Sequence, residues 1–153
     1  MSDSLASYRS GFVAIIGRPN VGKSTLLNQI LKERVAIATP KPQTTRDRIA
    51  GIKQLDGVQM IFLDTPGIHE AKGPFNEFMV KEALGAMHDA DVILFIPEVF
   101  PRDLKDPEAF ELRKADLEII ERIREAKKPV IGVVNRVDIL PKESLLPVID
   151  KLG

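Results

Sequence analysis

The chain has 153 residues, enough for one domain with a substantial core. Lys+Arg and Asp+Glu both number 22, so overall charge draws it neither to nucleic acid nor to anionic lipid. Without cysteine it can form neither a disulfide framework nor a thiolate metal site. No apolar run approaches a membrane span, and the polar segment Met1 to Ser10 lacks a signal peptide's apolar stretch. A cytoplasmic protein is the expectation, with peripheral membrane association left open.

In chain order, the apolar run Phe12 to Ile16 predicts a first strand over Gly11 to Ile16. It is followed by Gly17-Arg18-Pro19-Asn20-Val21-Gly22-Lys23-Ser24, a complete G-x-x-x-x-G-K-[ST] phosphate-binding loop, and then by Thr25 and a helix over Lys23 to Lys32. The strand–loop–helix setting separates this motif from a chance match. The glycines permit close approach and unusual dihedrals. The turn aims N–H groups inward at a helix N-terminus, where polyphosphate is held. Lys23 supplies a point charge to the outer phosphates, and Ser24 a hydroxyl to Mg²⁺.

Glu33 to Arg48 contains Pro40 and Pro42 and no sustained period, so it reads as a long functional loop. Within it, Thr44 and Thr45 can offer a hydroxyl to Mg²⁺ and an N–H to a γ-phosphate. Ile49 to Leu55 and Val58 to Leu63 are strands joined by Asp56-Gly57, a strong hairpin signal. Asp64-Thr65-Pro66-Gly67 follows. Asp64 can hold the outer shell of a Mg²⁺ ion, and Gly67 can offer an N–H to a γ-phosphate.

Pro74 opens a helix with Phe75, Phe78, Met79, Ala83, Ala86 and Met87 inward. Val92 to Ile96 is a buried strand. Asp106-Pro107-Glu108 predicts a helix start, with Leu112, Ile119 and Ile123 inward as far as Lys127. Val130 to Val134 reads as a buried strand, and a last helix over Leu145 to Leu152 is capped by Ser144. The alternation predicts an α/β fold: a mostly parallel sheet with one antiparallel hairpin strand and helices on both faces. Asn135-Arg136-Val137-Asp138 closes the set. Asn135-x-x-Asp138 resembles the guanine-reading N-K-x-D element of GTPases. The Asp138 carboxylate can accept from guanine N1–H and the exocyclic amine. Adenine lacks that donor pair and would leave a buried carboxylate unsatisfied, at roughly 1–3 kcal/mol.

Together these residues resemble the P-loop NTPase G domain of the Era family of ribosome-assembly GTPases, in the group named for TrmE, Era and EngA. The specific parts are Gly11-Phe12, Gly17 to Thr25, Gln43 to Arg46, Ile49 to Ile52 and Asp64 to Ile68. The resemblance implies a G domain over Gly11 to Gly153 that lacks the family's last strand, guanine-contacting S-A loop, last helix and RNA-binding KH domain. Val130 to Val134 would then be an exposed sheet edge. It also implies GTP and GDP as ligands and Mg²⁺ held through Ser24, Thr44, Thr45 and Asp64. Lys23, Thr45 and Gly67 would serve the hydrolytic step. Ile68 stands where other GTPases place a water-orienting glutamine, and Asn20 can ligate K⁺ beside the phosphates. Ribosomal RNA and the small ribosomal subunit would be partners only through the missing C-terminal part. Arg136 replaces the usual lysine, with a guanidinium able to lie flat along a base, and Pro97 to Asp116 is longer than usual. The expected function is a slow GTP-hydrolysing switch. The alternatives are a P-loop ATPase or kinase, and a nucleotide-binding module without turnover.

Overall fold

The computed structural model describes residues 8–32, 49–65, 74–106 and 109–153. Thr44, Thr45, Pro66, Gly67, Ile68, Pro107 and Glu108 lie outside the described residues, as do the side chains of Phe75, Phe78 and Met79. The elements are β1 (Arg9–Gly17), α1 (Lys23–Lys32), β2 (Ile49–Leu55), β3 (Val58–Leu63), α2 (Pro74–Asp89), β4 (Val92–Ile96), α3 (Lys114–Ala126), β5 (Val130–Gly132) and α4 (Leu145–Asp150). Short 3-10 turns occupy Pro101–Leu104 and Lys142–Ser144.

The sheet order is β2-β3-β1-β4-β5. β1 pairs in parallel with both β3 and β4, and β5 extends β4 in parallel. Among the described strands only β2 runs antiparallel, against β3, through the Asp56-Gly57 turn with Gly57 at φ 74°. The chain crosses from β3 on one side of β1 to β4 on the other. The carboxyl end of β1 is therefore a point where strand order reverses, the usual location of a ligand crevice.

β1 is central and covered on both faces, so it reads as a continuous apolar run rather than an alternation. Its side chains still point alternately to opposite faces. Ala14 and Ile16 join Ala83, Ala86 and Met87 of α2 and Ile119 and Ile123 of α3 in one core cluster. Val13 and Ile15 join Phe62, Val21 and Ile96 in a second, against the half-buried Leu27, Ile30 and Leu31 of α1. Helices thus lie on both faces, as the sequence predicts. A third cluster, Val99, Leu104, Phe110, Leu140 and Val148, packs the connection after β4 against the C-terminal part of the chain.

Four boundaries differ from the sequence expectation. β1 begins at Arg9 because its first residues pair with β3, Arg9 opposite Val58. α3 starts at Lys114, not near Asp106. Phe110 is drawn into the third cluster and Leu112 packs beside it, so these residues cannot also continue α3's inner face. Arg113 enters the helix in extended conformation without a side-chain cap. β5 has only three residues and is exposed rather than buried as its apolar run suggests, because it lies at the sheet edge, as the family resemblance implied. α4 ends at Asp150. Ser144 closes the preceding 3-10 turn and makes no side-chain cap.

Candidate nucleotide-binding site

The phosphate loop joins β1 to α1 at the strand-order reversal. Its shape follows from the residues that form it. A Cβ on Gly17 would lie 2.6 Å from the Ile96 carbonyl oxygen of β4, so any other residue would push the strands apart. Gly22 sits at φ 97°, where a side chain is strained. Its carbonyl accepts the Leu26 N–H at 2.9 Å, which starts the α1 ladder. The backbone N–H groups just after Gly22 therefore have no intrahelical acceptor. Asn20 is left-handed at φ 62°, a conformation asparagine tolerates better than most residues.

Lys23 turns back over the loop, donating to the Gly17 carbonyl at 3.1 Å and the Arg18 carbonyl at 2.7 Å. Burial lowers its pKa to about 8, against the opposing pull of the Asp64 carboxylate. Asp64 stands exposed just beyond β3, and Ser24 is exposed at the start of α1. Both are hard oxygen donors of the type Mg²⁺ takes, a donor set that fits such an ion. Thr65 is buried, and its hydroxyl donates to the Ile15 carbonyl, fastening the end of β3 to β1.

The predicted base-reading residues arrive at the same end of the sheet from β5. Asn135 donates from Nδ2 to the Val21 carbonyl at 2.9 Å. The Arg136 guanidinium donates to the Asn20 carbonyl. Arg136 is itself left-handed at φ 59°, and the turn is closed by Ile139 N–H to the Arg136 carbonyl at 3.1 Å. Val137 and Asp138 project from that turn into solvent. The structure therefore gathers Gly17 to Thr25, Asp64, Thr65 and Asn135 to Asp138 around one end of the sheet.

Sequence reasoning missed a set of charged residues behind the loop. Glu98, just after β4, accepts from Arg18 and lies 3.4 Å from Arg113 Nε. Its backbone N–H donates to the buried Asp116 carboxylate at 3.0 Å. The only sequence signal is an acidic residue two positions past a buried strand, 80 positions from its partner.

The family described as 50S ribosome-binding GTPase matches residues 12–136. This chain belongs to that family. The matched span includes the phosphate loop, Asp64 and Asn135. Among curated proteins, GTPase Era of Geotalea uraniireducens (strain Rf4) is 50% identical over 141 residues, covering 91% of this chain and 44% of that protein. A solved structure of Era in complex with MgGDPNP and nucleotides 1506–1542 of 16S ribosomal RNA aligns with a TM-score of 0.71 at 43% identity. It covers 94% of this chain and 46% of that one. A variant of Aquifex aeolicus Era bound to GDP.AlF4- gives 0.70 at 43% identity, with the same coverage. The chain thus spans less than half the length of these relatives.

Proposed function

We propose that the chain binds GTP with Mg²⁺ and hydrolyses it slowly, as a molecular switch. The observation that carries this reading is the arrival of three separate motifs at one end of the sheet, with Asn135 bonded directly to the phosphate loop. Lys23, Ser24 and the N–H groups of Gly17 to Thr25 take the phosphates. Ser24, Asp64 and Thr44 or Thr45 hold Mg²⁺, which would neutralise charge on the outer phosphates. Thr44 or Thr45 and Gly67 sense the γ-phosphate, and their loops loosen on hydrolysis. Ile68 carries no polar group to orient water. Asn20 is the candidate ligand for K⁺, whose charge would serve where other GTPases use an arginine finger. In a longer parent protein the switch would act with ribosomal RNA in assembly of the small ribosomal subunit, in the cytoplasm. The rationale is the similarity to Era, of which one solved structure contains a 16S ribosomal RNA segment.

The test compares GTP and ATP binding and single-turnover hydrolysis in K⁺ and Na⁺ at equal ionic strength. GTP should be preferred, and hydrolysis should be faster in K⁺. Asn20→Ala should shrink the salt difference. Preferential ATP turnover would establish a P-loop ATPase or kinase instead, binding without turnover an interaction module. Equal rates in both salts would remove the K⁺ assignment alone.

A further inference from the structure

We propose that Glu98 is a positioning residue for the phosphate loop, and that with Arg113 and Asp116 it makes the connection between β4 and α3 a brace for that loop. The inference rests on reading the loop as a nucleotide site, but its geometry is independent of which nucleotide binds.

Arg18 is the first residue of the loop after Gly17, and its carbonyl is the closer of the two that Lys23 holds, at 2.7 Å. Its guanidinium does not point across the loop. It is turned aside to the Glu98 carboxylate, where the side chains are only 24% and 20% exposed. A half-shielded ion pair is screened less than a surface pair. The same carboxylate oxygen faces Arg113 Nε at 3.4 Å. Arg113 in turn lies over the Phe100 ring, 4.9 Å from its centroid, with Arg102 also against that ring at 4.6 Å. Asp116, in the first turn of α3 and fully buried, accepts the Glu98 backbone N–H. One residue is therefore held through both backbone and side chain by the start of α3, and it holds the loop. Pro97 and Val99 on either side of Glu98 are buried, so the carboxylate cannot easily retreat. The chain of contacts runs from the α3 start through Glu98 and the Arg18 side chain to the Arg18 carbonyl and Lys23.

The charge logic makes the role testable. If Glu98 merely neutralised Arg18, its removal would free a cation beside the phosphates and tighten binding. If it positions the loop, removal leaves the Arg18 peptide loose and weakens binding.

The experiment measures, on the 153-residue chain, amide hydrogen exchange across residues 18–22 (Arg18 and Asn20 to Gly22, since Pro19 has no N–H) without nucleotide, and GDP and XDP affinities. The variants are Glu98→Ala, Glu98→Gln, Glu98→Asp, Arg18→Ala and the Arg18→Ala/Glu98→Ala pair. Glu98→Ala and Glu98→Gln should speed exchange in residues 18–22. They should weaken GDP binding about tenfold, as expected for loss of a charge-assisted contact, while the GDP:XDP preference stays constant. Glu98→Asp should recover part of the loss. In the Arg18→Ala background, Glu98→Ala should add nothing. Unchanged exchange, tighter GDP binding, a changed base preference or additive losses would each overturn the brace. If the wild-type chain bound no guanine nucleotide, the GTP reading would fall, while the exchange results would still decide the brace.

Discussion

Gly22 shows how tightly single residues are constrained at this site. Beyond its positive φ, a Cβ there would lie 2.2 Å from Asn135 Nδ2, the group that bonds to the Val21 carbonyl. Gly22→Ala should therefore break the Asn135 contact as well as strain the backbone, lowering stability by about 1–3 kcal/mol. Denaturant unfolding checks this, and a variant as stable as wild type would mean the loop rearranges freely. Asp138→Asn should move preference from guanine to xanthine, because an amide presents a donor where guanine needs an acceptor. GDP and XDP titrations read the outcome, and unchanged GDP binding would remove Asp138 from base recognition. At Asp116 the effect is one of pH. Burial pushes this carboxyl from 3.8 up to about 6, although the Glu98 N–H, Arg18 and Arg113 pull the other way. Between those values the folded chain keeps a proton that the unfolded chain has lost. The stability from this group is complete below 3.8 and is lost as pH rises through about 6. Asp116→Asn should abolish that component. Stability–pH curves that run parallel for both forms between pH 4 and 7 would contradict it.

Among the elements, α3 illustrates how packing overrides a local signal. Asp106-Pro107-Glu108 has the chemistry of a helix start, yet the helix begins at Lys114 because Phe110 is buried with Val99, Leu104, Leu140 and Val148. Propensity is worth tenths of a kcal/mol per residue, whereas burying a phenylalanine contributes about 1.5–3 kcal/mol. The far end is also unusual. Lys127 closes the helix in the left-handed conformation at φ 52°, with its N–H on the Arg124 carbonyl at 3.1 Å. Glycine is the common residue in that position because it has no Cβ to clash. Lys127→Gly should raise stability by about 0.5–1 kcal/mol, the left-handed penalty outweighing glycine's greater unfolded entropy. Thermal unfolding tests this, and a lower melting temperature would show that the lysine side chain stabilises the fold in some other way.

Across the whole molecule, the sheet sets both the site and a liability. β5 is an edge strand with Val130 46% and Ile131 54% exposed, and unpaired backbone there invites association with another chain. Ile131→Lys should reduce light scattering at high protein concentration and leave GDP affinity unchanged. Equal scattering would place the adhesive surface elsewhere. The sequence by itself determined the phosphate loop, the hairpin, the strand–helix alternation and the position of Asn135-x-x-Asp138. Each depends on neighbours within a few residues: glycine dihedrals, a two-residue turn, and the periodicity of apolar side chains. Only the tertiary structure decided where α3 begins, that β5 stops at Gly132, that Arg136 reaches the Asn20 carbonyl, and that Glu98 holds Arg18. Those outcomes depend on partners that lie far along the chain and meet only because β1, β4 and β5 end at the same side of one sheet. No local pattern encodes which carboxylate will face which guanidinium once the strands are paired.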